Sequence, residues 1–256
     1  MISMFPARWT ERGTGEPVVL LHGLMSEMDH WDATLDALAP RCRVLAPALP
    51  IFDAEQAEAS IEGLTDYVHR FLRALSIERA VVGGNSLGGH LALELALTHP
   101  ERVSGLILTG SSGLFERSFT RGVPHVPTTE FVRDKMQEIF YDPTLVTPGW
   151  VESVRRILIT RAYALRLVHV ARSAKRGNLE DRLGAIRVPT LLVWGKDDRV
   201  TPIDVAERFR ALIPEAELVT IANCGHAPML EQPVMFNAIL EDWLIDSRAR
   251  RERGAR

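Results

Sequence analysis

Three short stretches hold residues whose types can do chemistry together. Gly84-Asn85-Ser86-Leu87-Gly88 fits G-x-S-x-G. A serine hydroxyl is a poor nucleophile until a base takes its proton. A serine on a sharp, strained turn between two glycines stands clear of its own chain, where larger neighbours would collide. The base has to lie elsewhere, and Cys224-Gly225-His226 supplies a histidine late in the chain. A histidine base needs an acid to hold its tautomer and stabilise the imidazolium. Trp194-Gly195-Lys196-Asp197-Asp198-Arg199-Val200-Thr201-Pro202 offers two aspartates. Asp198 is taken as the acid because it fills the fifth position of W-G-x-x-D-x-x-x-P, which leaves Asp197 as a solvated turn residue.

Ser86, His226 and Asp198 together are the parts of an acyl-transfer site. The tetrahedral intermediate of such a reaction carries an oxyanion that needs backbone N–H donors. One donor is expected from Leu87, directly after the serine. The other is expected from Leu24, after His22-Gly23, on position alone, because a backbone donor leaves its side chain unconstrained. Leu24 and Met25 also read as apolar wall of a substrate pocket. Of the other histidines, His22 reads as loop structure, His30 as the start of a helix, and His69 and His169 as ordinary helix residues. His90 packs beneath the serine turn and His99 ends a helix. His125 is read as either a structural residue or a ligand contact.

These residues need a frame. Short apolar runs at 18–21, 43–46, 80–84, 103–109, 190–194 and 217–221 suit strands buried on both faces. Between them, residues 60–75 carry apolar side chains at helical spacing with Ser60 as N-cap. Residues 87–98 are apolar nearly all round, which fits a helix buried against a sheet. Residues 203–212 and 234–245 predict two more helices. The alternation of strand and helix predicts an α/β fold with a mostly parallel, doubly wound sheet. Residues 111–188 break that rhythm with four prolines and helix-like pieces at 131–140 and 151–173. They are read as an inserted helical cap, with the core formed by 1–110 and 189–256. An insertion at that place covers the C-terminal edge of the sheet, where ligands bind in open α/β folds.

The bulk properties narrow the class. The chain has 256 residues, 46% hydrophobic and 25% charged, and a formal net charge of -3. Such a chain buries a large core unaided, and its charge suits neither nucleic acid nor an extended anionic surface. Its two cysteines, Cys42 and Cys224, make no disulfide framework and read as reduced thiols of a cytoplasmic protein. No apolar run approaches the ~18 residues of a membrane span. The basic tail from Ser247 to Arg256 is expected to be a frayed, solvated end.

With these motifs in this order, the sequence resembles the α/β-hydrolase superfamily over nearly all of its length. Gly84-Asn85-Ser86-Leu87-Gly88-Gly89 is similar to the serine turn of the meta-cleavage-product hydrolases, which cleave C–C bonds in vinylogous diketones, and also to that of small carboxylesterases. Ser86 argues against the dehalogenases and epoxide hydrolases, which carry aspartate there. Two departures stand out. Ala227-Pro228-Met229 follows the histidine where those C–C hydrolases commonly have tryptophan. Ala46-Pro47-Ala48-Leu49-Pro50 replaces an Asp-x-Pro-Gly motif. The resemblance implies a Ser-His-Asp hydrolase of a hydrophobic small molecule, with no cofactor and no metal. An ester or thioester is the first expectation. The alternatives are a diketone C–C bond, with Arg155, Arg156, Arg161 or Arg166 holding a substrate carboxylate, and a non-catalytic binding protein on the same fold. The sequence leaves the oligomeric state open.

Overall fold

A computed structural model of the chain describes residues 8–26, 28–53, 58–116 and 126–254, the last five by backbone alone. In chain order the main elements are β1 (Trp9–Arg12), β2 (Glu16–Leu21), α1 (Asp32–Leu38), β3 (Cys42–Pro47), α2 (Ile61–Ala74), β4 (Ala80–Asn85), α3 (Leu87–Thr98) and β5 (Val103–Thr109). Then come α4 (Thr129–Gln137), α5 (Pro148–Ile159), α6 (Arg161–Arg176), β6 (Thr190–Gly195), α7 (Ile203–Leu212), β7 (Ala216–Ile221), α8 (Pro228–Glu231) and α9 (Pro233–Gly254).

The strands form one sheet in the order β1-β3-β2-β4-β5-β6-β7. β1 runs antiparallel to β3, and every other pairing is parallel. The six apolar runs are six of these strands. Successive side chains on a strand point to opposite faces, and both faces here are covered. Val19, Leu21, Val82, Leu106, Leu108, Leu192 and Trp194 pack with α2, α3 and α7 on one side. Val18, Leu20, Val81, Ile107, Leu191 and Val193 pack with α1 and α9 on the other. β1 was not expected. Its four residues alternate between half-buried and exposed, and its edge is tied by Arg43 to Glu11 at 2.8 Å rather than by an apolar run.

Ser60 caps α2 as expected, its Oγ accepting from the Gly63 N–H. α3 is buried along nearly its whole length between the sheet and α2. Between β5 and β6 the described residues contain α4, α5 and α6 and no strand. The helical piece at 151–173 is in fact two helices. Thr160 is extended between them (φ -82°, ψ 106°), which ends α5 and starts α6. The two ends of this segment meet where the Leu179 N–H donates to the Gly113 carbonyl at 2.8 Å. The basic tail also differs from expectation. α9 continues through it to Gly254, with Ser247 fully buried. No described helix is long and apolar enough to cross a membrane, and Cys42 and Cys224 are both free and buried.

Candidate active site

β4 ends at Asn85 and α3 begins at Leu87, so Ser86 makes the whole turn between strand and helix. Its backbone sits at φ 54°, ψ -116°. For a residue with a side chain this is strained, and only the surroundings can enforce it. The Ser86 N–H donates to the Thr109 carbonyl at 3.1 Å, and its carbonyl accepts from Ser112 N–H at 3.1 Å and His90 N–H at 3.2 Å. The flanking glycines are needed for close approach. A Cβ on Gly84 would lie 2.3 Å from the Gly88 carbonyl carbon, and one on Gly88 would lie 2.1 Å from the Leu21 oxygen.

Asp198 follows β6 and its side chain is fully buried. One carboxylate oxygen accepts from Val200 N–H at 2.8 Å and Thr201 N–H at 2.9 Å. The other accepts from the Thr201 hydroxyl and is 2.9 Å from His226 Nδ1. A carboxylate only accepts, so Nδ1 carries the proton and Nε2 of the neutral ring is left as the basic nitrogen. Asp197 is exposed, but it is not merely solvated, because it accepts from Cys224 N–H at 3.3 Å.

His226 is buried on the loop after β7. Burial pulls its pKa down, but the Asp198 charge and hydrogen bond, with Glu116 and Glu231, outweigh that and hold it above the ordinary value. The Asn85 side-chain amide donates to the His226 carbonyl at 2.9 Å and to the Thr109 carbonyl at 3.1 Å. The residue before the serine therefore fixes the backbone of the histidine. Nothing in the motif pattern singled out Asn85, because it fills an unspecified position. Glu116, on the loop leaving β5, keeps solvent contact. It is still enclosed enough that burial pushes its carboxyl up, with His226 opposing and Asp198 reinforcing the shift.

Leu24 and Met25 form the half-buried turn that follows Gly23. That turn lies against the serine, since a Cβ on Gly23 would be 3.6 Å from Ser86 Cβ. His22 holds it. Nε2 of His22 accepts from Leu49 N–H at 2.9 Å, so Nδ1 is the protonated nitrogen and donates to the Gly23 carbonyl at 2.8 Å. Complete burial lowers the His22 pKa to about 4, which keeps it neutral and in that tautomer. His90 packs at the two ends of the helical segment, close to both Gly113 and Gly177. Leu87 is buried at the start of α3. His125 lies outside the described residues. Of the four arginines expected to hold a carboxylate, Arg155 donates to the Pro127 carbonyl and Arg166 to the carbonyls of Ile51 and Asp53. Arg156 and Arg161 are exposed. Among the described residues there is no group of three or more ligating side chains able to hold a metal ion.

A parallel sheet with an antiparallel edge, a strained serine between β4 and α3, and an Asp–His pair on the loops after β6 and β7 define a hydrolase of one fold class. The chain belongs to the alpha/beta hydrolase family, whose model matches residues 18–239. It is similar to 2-hydroxy-6-oxo-6-phenylhexa-2,4-dienoate hydrolase of Burkholderia cepacia, with 30% identity over 96% of this chain and 93% of that protein. It also resembles the solved meta-cleavage product hydrolase of Pseudomonas fluorescens IP01, with 27% identity, TM-score 0.81 and 94% of each chain covered. A thermophilic esterase from Thermogutta terrifontis is similar at 25% identity and TM-score 0.78, over 94% of this chain and 93% of that one.

Proposed function

We propose that the protein hydrolyses a carbon–carbon bond next to a ketone in a 2-hydroxy-6-oxo-dienoate-type substrate, with Ser86 as nucleophile, His226 as general base and Asp198 as its orienting acid. The observation that carries this reading is the buried Asp198–His226 pair, fixed from the serine turn through Asn85. His226 takes the Ser86 proton as Oγ adds to the ketone carbonyl. The Leu24 and Leu87 N–H groups stabilise the oxyanion. The substrate reacts as its 2-keto tautomer, which carries a further proton on the carbon next to the ketone. As the intermediate collapses, the C–C bond breaks, its electrons pass through the alkene to the 2-oxygen as a dienolate, and that oxygen takes the proton from His226. Water, deprotonated by His226, then releases the acid from Ser86. The choice of a C–C bond is supported by the relatives' activities. Residues 111–188 form the cap over the site in this reading, with Met25 in the pocket wall, and no cofactor is required.

Ester hydrolysis by the same groups is the second reading. Two observations favour it. Glu116 brings a carboxyl towards His226, which disfavours a substrate carboxylate, and Ala227 takes the position where the C–C hydrolases carry tryptophan. The test is turnover of 2-hydroxy-6-oxo-6-phenylhexa-2,4-dienoate beside p-nitrophenyl esters of increasing length, for wild type and Ser86→Ala. The proposal expects the dienoate to have the higher kcat/KM and both activities to vanish in the variant. Ester turnover without dienoate turnover would move the assignment to the second reading.

A further inference from the structure

We infer that Glu231 is a positioning residue of the active site: its carboxylate gathers the backbone N–H groups on both sides of His226 and ties the segment 139–141 to the same loop. This rests on the reading of His226 as the base. Glu231 closes the short helix α8. One oxygen accepts from Gly225 N–H at 3.0 Å and Ala227 N–H at 3.2 Å. The other accepts from Gly225 N–H at 3.0 Å and from Tyr141 N–H at 2.7 Å. The N–H between them, that of His226, donates to the Ile139 carbonyl at 3.1 Å. Three consecutive amides, 225 to 227, are thus anchored to one carboxylate and one strip of the helical segment.

The approach leaves no slack. A Cβ on Gly225 would lie 2.7 Å from the Ile139 oxygen and 2.9 Å from the Tyr141 nitrogen. A carboxylate accepts several backbone N–H bonds at once, and an ionised acceptor makes each of them stronger than a neutral one would. A glutamine has a single accepting oxygen and cannot hold all three amides. The imidazole ring hangs from this loop, so its aim towards Ser86 depends on the loop's register. A displacement of about 1 Å in such a site costs up to about a hundredfold in rate.

The charge of Glu231 has its own signature. Three carboxyls face His226: Asp198 from the loop after β6, Glu116 from the loop after β5, and Glu231 from α8. Asp197, beside Asp198, is engaged with the Cys224 N–H. Tyr141, on the packed segment, is exposed. Removing the Glu231 charge makes the imidazolium less favourable, so the neutral base persists to lower pH.

The experiment is the rate at which an alkyl fluorophosphonate modifies the full-length protein, followed by intact mass from pH 5 to 9. Wild type, Glu231→Gln, Glu231→Asp and Ser86→Ala are compared, each first checked by thermal melting. Glu231→Gln is expected to react about ten- to a hundredfold more slowly at its plateau, with the acid limb of its profile moved to lower pH. Glu231→Asp keeps the charge, so its limb stays in place while its plateau falls; it carries the test if the glutamine variant does not fold. Wild-type plateaus in the folded variants, or a slower Glu231→Gln with an unmoved limb, would overturn the inference. Adduct formation in Ser86→Ala at the wild-type rate would instead overturn the underlying reading of the site.

Discussion

The sheet end that carries Ser86, Asp198 and His226 and the helical segment from α4 to α6 are built on different principles. At the sheet end almost every backbone group near the chemistry has a fixed partner. Ser86 is held by Thr109, Ser112 and His90, Asp198 by Val200 and Thr201, and His226 by Asn85 and Ile139. β4, β5 and β6 behind them are fully buried, and β7 is a half-buried edge. In the helical segment each helix rests on a narrow stripe: Val132 and Met136 in α4, Val151 and Val154 in α5, Leu167, Val170 and Ser173 in α6. Its other faces leave large apolar side chains open, among them Leu165 at 61% and Ile159 at 42% exposure, enough to offer a hydrophobic substrate a surface. The first region fixes the backbone that carries Ser86, Asp198 and His226 at nearly every group. The second can change its exposed helix faces freely, and only its strip 139–141 is tied to the histidine loop. On the proposed function, catalytic geometry and substrate choice are therefore largely separable, with the strip 139–141 as the place where they meet.

That separation can be broken from either side. At the sheet end, Ser86→Ala is expected to lower kcat by on the order of 10⁶ on every substrate the wild type turns over, as read by steady-state assay. Asp198→Asn keeps the shape but favours the wrong histidine tautomer, and is expected to lower kcat by about 10⁴ with little change in KM. A next-smaller effect is set by pH. His226 must be neutral to act, and its pKa lies above the ordinary 6.5, so kcat/KM should fall along a single limb whose midpoint is above pH 6.5. A flat profile from pH 5 to 8 would contradict the base assignment.

Stability should respond to acid with the opposite sign of cause. His22 and His90 are pulled to about 4 by burial. Between pH 6.5 and 4 the unfolded chain binds the protons these two refuse. Each therefore withdraws up to about 3 kcal/mol of stability across that window, whereas His226, raised in the fold, adds its stability above pH 6.5 as the pH falls and is constant through the window. Thermal melting from pH 7 to 4 should show a falling Tm, with part of the fall removed when His90 is replaced by Asn. In the helical segment the expected effects are smallest. An arginine that holds the substrate carboxylate should, when replaced by Ala, raise KM for the dienoate by about tenfold and leave a neutral p-nitrophenyl ester unchanged; Arg156 and Arg161, both exposed on this segment, are the two to replace. An equal loss on both would mean that this segment shapes the catalytic geometry rather than the choice of substrate.

The same contrast explains what could be read from the sequence. Strands buried on both faces need unbroken apolar runs, so β2 to β6 were visible, and β7, a half-buried edge strand, keeps enough of such a run to be read with them. The serine turn, the aspartate and the histidine were visible because glycine spacing and chain order constrain them. β1 was not, since an exposed edge strand is held by backbone pairing and an ion pair rather than by apolar content. The break at Thr160 was hidden because both helices around it keep helical spacing, and nothing in the residue type forbids continuation. The helical tail was hidden because a sequence run rich in arginine and poor in apolar residues reads as a solvated coil. Asn85 and Glu231 act through backbone groups far away in the chain. Contacts of that kind leave no local pattern.

A nucleophilic Ser86 becomes covalently acylated in the course of turnover. Wild-type protein mixed with a p-nitrophenyl ester and quenched in acid within the first turnover should carry one acyl group, mapped by peptide mass spectrometry to the segment holding Ser86. Turnover with the acyl group on another residue, or with none on the protein at any quench time, would contradict it.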